Sequence, residues 1–270
     1  MGPDHAWEKW GAQDPYYGVL SDPRFRCNKL TDDSLKEFFA TGQHHIEHML
    51  ETIRKTHSDF QPKRVMDYGC GVGRLLRPLS QIADTVGVDI SESMLNEAQK
   101  NCPEATLIHP ERLNSLAQNF DLIHSHLVFQ HIPVRTGEGV LRQLVGLLSP
   151  NGIGVIHLTF LVRRLGRLPI PVWDAMQKMR GRSKLFHGLM NLKDGRPFNQ
   201  PQMQMNNYNL NRIFAILRDA NCSIFHVEFT SDLFPGAVLY FKRGCEHVER
   251  TCLSWVALSA APGRAALDAP

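Results

Sequence analysis

One stretch constrains this chain more than any other: a short apolar strand that runs into three glycines on alternate positions. Residues 65–74 read Val-Met-Asp-Tyr-Gly-Cys-Gly-Val-Gly-Arg, and Asp89 closes a second apolar run sixteen residues after Gly73. Glycine turns tightly and brings backbone N–H groups close to a ligand with no Cβ in the way. The helical pattern that follows, Arg74-Leu75-Leu76-Arg77, opens with free N–H groups and partial positive charge suited to a carboxylate or phosphate. An acid at the tip of the next strand suits a ribose diol. Strand, loop, helix, strand and acid in that order point to a nucleotide-type site. The spacing Gly69-x-Gly71-x-Gly73 differs from the dinucleotide pattern G-x-G-x-x-G, which speaks against a nicotinamide oxidoreductase.

The rest of the chain supplies the matching architecture. Strands are predicted at 64–68, 85–89, 106–108, 120–125, 154–158, 223–229 and 237–241, with helices at 74–82, 92–100, 135–148 and 208–220 between them. Ser91 is placed to cap the helix that starts at Glu92. Alternation of this kind implies an α/β, Rossmann-like seven-stranded sheet, mostly parallel, with helices on both faces. The short 231–236 connection makes the last strand antiparallel, because a parallel pair needs a longer crossover. Residues 1–60 form an N-terminal helical cap, starting a helix near Thr31-Asp32-Asp33 and broken at Gly42. Residues 61–243 are the main domain, with 160–206 inserted as a lid after strand 5, and 244–270 read as a loose tail.

Composition narrows the classes. The 270 residues carry a formal net charge of only +3, so no global commitment to nucleic acid or membrane is implied. No apolar run reaches transmembrane length, and the N-terminus lacks a basic-then-apolar leader pattern. Six scattered cysteines without C-x-x-C fit free thiols in a reducing compartment, so a cytoplasmic monomer or homodimer is expected.

The glycine loop with Asp67 ahead of it resembles motif I of the class I S-adenosylmethionine-dependent methyltransferases, and the likeness extends over about residues 41–243. The resemblance implies S-adenosylmethionine as cofactor. Asp67, Gly69, Gly71 and Gly73 then back onto its methionine part and Asp89 takes its ribose hydroxyls. Ile90 and Met94 pack on the adenine, and Glu111 is the nearest acid for the adenine amine. The stretch 124–133, His-Ser-His-Leu-Val-Phe-Gln-His-Ile-Pro, resembles the Phe-Gln-His-Ile-Pro segment of bacterial small-molecule methyltransferases. It sets Ser125 and His126 beside the cofactor and makes His131 the first candidate for general base, with His126 second. By the same likeness Gly42 and Gln43 sit in a turn that closes over the cofactor. The lid holds nine basic residues against two acidic ones, Arg163 among them, and Tyr208 lies at the rim of the acceptor pocket.

The implied activity is methyl transfer to a small-molecule acceptor, natural-product or sugar-type, anionic ones included, most readily at oxygen. Transfer to nitrogen or to RNA is the alternative, and a non-catalytic binding protein is the alternative of another class. Nucleic acid is the less favoured partner, since the strand-4 tip lacks the Asn/Asp-Pro-Pro-Tyr/Phe grip on a flipped base. His44-His45-Ile46-Glu47-His48 also satisfies H-x-x-E-H, a zinc-site pattern with His44 and His48 on one helical face. No third ligand is marked, and no metal is expected.

Overall fold

The computed structural model describes residues 3–160, 183–193, 198, 200, 203–230 and 236–245. Seven strands form one sheet in the order β3-β2-β1-β4-β5-β7-β6. They are β1 (Arg64–Tyr68), β2 (Asp84–Val88), β3 (Thr106–Ile108), β4 (Phe120–Ser125), β5 (Leu148–Thr159), β6 (Cys222–Thr230) and β7 (Gly236–Arg243). The first five pair in parallel, and β7 runs antiparallel between β5 and β6. The predicted fold class therefore holds, and β7 is the reversed strand.

Side chains alternate along each strand, so each face meets its own helices. On one face Val65, Leu122, Val155 and Tyr240 pack with Ile46, Met49, Ile53 and Leu79. The last four belong to α3 (Asp32–Thr56) and α4 (Leu76–Ser80). On the other face Met66, Ile123 and Ile156 pack with Leu141, Leu144, Ile213 and Leu217. Those leucines and isoleucine come from α6 (Val134–Leu147) and, after an inserted α7 (Lys184–Lys193), α8 (Leu210–Asp219). The glycine loop packs against α5 (Glu92–Asn101), whose Ser91 cap accepts the Met94 N–H as expected.

Two sequence expectations are corrected. Thr31 does start a helix, through a capping box with Ser34, but the helix then runs unbroken through Gly42 to Thr56. Gly42 is there for close approach: a Cβ on it would sit 2.1 Å from the Arg74 carbonyl oxygen. The strand expected at 154–158 starts earlier, at Leu148, and carries an irregularity over 149–152. Pairing jumps from Phe120–Leu148 to Leu122–Ile153, and Asn151 takes the left-handed conformation at φ 66°.

Sheet order reverses between β1 and β4, the position where open α/β sheets bind ligands beyond their strand ends. Two short N-terminal helices, α1 (Pro3–Gln13) and α2 (Pro15–Val19), lie over this end. Their Trp10 and Tyr16 join Phe25, Phe38, Val72 and Met94 in a separate small core.

Candidate cofactor and acceptor site

A cavity of about 1020 Å³ opens above the strand ends, and Asp67, Gly69, Gly71, Asp89, Ile90, Met94, His126 and His131 all face it. The loop is built for it. Gly69, Gly71 and Gly73 have φ of +79°, +53° and +91°, a region costly for residues with a Cβ. A Cβ on Gly69 would lie 2.3 Å from Val128, and one on Gly71 would lie 2.4 Å from Val19. Gly73 faces away from the cavity; its bare backbone lets the Cys102 thiol pack at α5.

Asp89 is gripped by the loop it serves. Its carboxylate accepts the Gly71 N–H at 2.9 Å and the Ser91 N–H at 2.9 Å. Burial nonetheless raises its pKa to about 6, those N–H groups pulling the other way. Each carboxylate oxygen keeps a lone pair for a further donor.

Beyond Asp89 the cavity offers an opposed pair of charges. Oδ1 of Asp67 holds the Nδ1–H of His124 at 2.9 Å, while its Oδ2 is buried without a partner. Arg74 is buried beside it, with Nη1 donating to Thr41 Oγ1 at 3.2 Å and Nε unpartnered. Burial lowers the Arg74 pKa to about 10, against the pull of Asp67, so the guanidinium stays charged at neutral pH. An orphaned carboxylate oxygen and an orphaned guanidinium N–H match the ammonium and carboxylate of an α-amino acid. With Asp89 suited to a diol, this set of groups fits S-adenosylmethionine.

The far end of the cavity is a wall of imidazoles. His126 and His157 line it, with ring centroids 5.0 Å apart. His45 from α3 packs against His126, tilted, with ring centroids 4.1 Å apart, and meets Nε2 of His124 at 3.1 Å through its own Nε2. Asp67 fixes a proton of His124 on Nδ1, and one proton bridges the two Nε2 atoms. Burial, reinforced by neighbouring imidazoles, lowers the pKa of His45 to about 2 and that of His126 well below its ordinary value. His45 and His126 are therefore uncharged at physiological pH.

His131 also faces the cavity, under Trp7, whose ring lies edge-on at 4.8 Å. Its Nδ1–H donates to the Gln204 carbonyl at 2.7 Å, which leaves Nε2 to accept from the Gln130 amide at 3.2 Å. Burial lowers its pKa to about 4 despite the carbonyl.

Other candidates lie elsewhere. Gly42 and Gln43 do not line the cavity, since the helix carries them past it; Gln43 pairs with Glu47 on the outer face. Glu111 is exposed on a 3-10 turn and also lies outside the lining. Ser125 is buried, its hydroxyl donating to the Tyr68 carbonyl. Tyr208 is buried rather than at the rim: its hydroxyl bridges the carbonyls of Phe129 and Ile132 at 3.0 and 2.9 Å, fixing the turn that carries His131. Arg163 lies outside the described residues. The H-x-x-E-H pattern is split, with His44 exposed and His48 paired with Glu228 across to β6 at 3.0 Å. Among the described residues no group of three or more His, Cys, Asp or Glu is placed to hold a metal.

Sequence reading missed Arg74, His45, His124, His157 and Thr230. Register was the missing signal: Asp67 pairs with His124 across β1 and β4, and the pairing of β4 with β5 at Ser125–Ile156 brings 126 beside 157. None of that is local in sequence.

Comparison with known proteins agrees with this geometry. Residues 65–152 match a methyltransferase domain family. The chain is 30% identical over 146 residues to the malonyl-[acyl-carrier protein] O-methyltransferase of Porphyromonas gingivalis, covering 52% of this chain and 47% of that protein. It is 32% identical over 100 residues to the ubiquinone biosynthesis O-methyltransferase of Bradyrhizobium diazoefficiens, covering 34% and 38%. The matches thus span less than half the length of these curated relatives. Among solved structures, magnesium protoporphyrin IX methyltransferase from Synechocystis PCC 6803 with bound SAH aligns at TM-score 0.58 and 20% identity, over 89% of this chain and 98% of that one. The N-methyltransferase NodS from Bradyrhizobium japonicum WM9, in complex with S-adenosyl-l-homocysteine, aligns at 0.54 and 14%, over 90% and 99%. At these identities the structural likeness is one of fold. Family match, sheet order and glycine loop agree: the chain carries a class I S-adenosylmethionine-dependent methyltransferase domain.

Proposed function

We propose that this chain binds S-adenosylmethionine and transfers its methyl group to an oxygen of a small-molecule acceptor. The observation that carries the reading is the cavity itself, where Asp89 is tied to the Gly71 N–H at one end and the bare Asp67 Oδ2 waits at the other. The bound cofactor supplies an electrophilic methyl on a sulfonium. The chain's task is to hold and align the partners and to accept any proton released. Asp89 holds the diol, Asp67 and Arg74 hold the amino-acid end, and His126, whose Nδ1 has no partner, is the imidazole placed to take a proton, ahead of His131, whose two nitrogens are engaged. The α1 and α2 roof, through Trp7, Val19 and Leu20, excludes water above them.

Oxygen as the acceptor atom draws support from the O-methyltransferase names of both relatives. Calorimetry with S-adenosylmethionine and S-adenosylhomocysteine tests the reading. Saturable heat with both is expected, reduced at least tenfold in affinity by Asp89→Ala while the melting temperature holds. No heat with either ligand would sink it.

A further inference from the structure

Three strands end at the far side of the cavity with polar side chains: His126 after β4, His157 on β5 and Thr230 at the end of β6. Nε2 of His157 lies 3.4 Å from the Thr230 hydroxyl, which accepts the Gly236 N–H at 3.0 Å. Gly236 leaves room for that imidazole, since a Cβ there would come within 2.5 Å of Nε2. His126 keeps a buried Nδ1 without a partner, whereas both nitrogens of His131 are engaged. Outside the cofactor end the rest of the lining is mainly apolar, with Val128, Ile132, Val140, Met203 and Met205 beside the polar Ser21, Gln130, His131 and Thr136. Apart from histidine, the one basic side chain among the described lining residues is Arg74, committed to the cofactor end.

We propose that His126, His157 and Thr230 form the acceptor's polar subsite, and that it takes the hydroxyl of a phenol or enol carried on an apolar body. The inference rests on the methyltransferase reading and names its substrate class. Among the described lining residues a carboxylate or phosphate at this wall would meet no lysine or arginine, and burying an anion without a cation is costly. A polyol would leave most of its hydroxyls facing methionine and valine. A phenol or enol, far more acidic than an aliphatic alcohol, passes its proton to an imidazole more readily as the bond to carbon forms. As that oxygen–carbon bond forms, the sulfur–carbon bond breaks with its electron pair left on sulfur, and the hydroxyl proton passes to His126. Positive charge leaves the sulfonium as it arrives on the imidazole, so the buried site keeps its net charge. Asp67, His124 and His45 act as positioning residues by holding the ring against which His126 packs.

The test uses the whole chain saturated with S-adenosylhomocysteine, titrated with hydroxybenzene, benzoate or cyclohexanol, with imidazole nitrogen resonances as the readout. Hydroxybenzene is expected to shift His126 and His157 and to bind at least tenfold more tightly than the other two. His157→Phe with Thr230→Val should weaken it at least tenfold with S-adenosylhomocysteine affinity within twofold. The milder pair His157→Gln and Thr230→Ser should restore most of the loss and guards against misfolding. Preference for benzoate, or equal hydroxybenzene affinity in the double variant, overturns this inference alone. Failure to bind S-adenosylhomocysteine overturns the underlying reading as well.

Discussion

Asp89 shows how one residue carries two loads. It holds the glycine loop through the Gly71 N–H and has lone pairs left for a diol, yet burial brings its pKa to about 6. Only the carboxylate offers two charged acceptor oxygens to the diol, so cofactor affinity should fall below pH 6 by up to about tenfold per unit. Asp89→Asn should flatten that profile and weaken binding at pH 7.5 by about 1.5–3 kcal/mol, the range for hydrogen bonds to a charged group. Calorimetry across pH 5–8 measures both. Tyr208 carries a different load. Its phenol satisfies two carbonyls of the turn that carries His131, and a Cβ on Gly137 would strike its oxygen at 2.0 Å. Tyr208→Phe should cost about 1–3 kcal/mol in chemical denaturation, because the buried carbonyls lose their donor. Cofactor affinity should change less than twofold, as Tyr208 does not face the main cavity.

Among the elements, α1 and α5 are joined by one side chain. Glu8 accepts from the hydroxyls of Ser91 and Ser93 and from the Ser93 N–H, so a carboxylate on the roof helix caps the helix behind the adenine end. A negative charge there also complements the α5 N-terminus. Tyr16 adds a second tie, donating to Glu97 at 2.8 Å. Glu8→Ala should cost about 1 kcal/mol of stability. It should also raise amide hydrogen exchange across residues 3–20 and lower cofactor affinity a few-fold, because Trp7, Val19 and Leu20 roof the cavity. Unchanged exchange in that segment would show that the roof is held by its apolar core alone. The break expected at Gly42 failed at this same scale. A lone glycine reads as a stop, but here it sits mid-helix so that Arg74 can approach.

The whole molecule gathers four histidines from α3, β4 and β5 into one buried array. His45, His126 and His131 all have proton affinities lowered by burial. A lowered folded pKa means stability that is complete above the ordinary histidine value of 6.5. It is lost as pH falls through the window down to about 4 for His131 and about 2 for His45. Each histidine contributes a slope of up to about 1.4 kcal/mol per pH unit there. Asp89 opposes them, since its raised pKa returns stability as pH falls from about 6 towards 3.8, but it is one group against three. Denaturation midpoints should therefore drop steadily between pH 6.5 and 4, and His45→Phe should lessen the slope; a flat profile would contradict the buried array. The sequence by itself determined the strand and helix order, the glycine loop with its acid at residue 89, and the reversed last strand. Each rests on a local pattern, whether periodicity, turn chemistry or the length of a connection. Only the tertiary structure decided the roof, the opposed charges of Asp67 and Arg74, and the imidazole wall. Those depend on strand register and helix docking, which join residues up to about eighty positions apart, as in the 3.1 Å contact of His45 with His124.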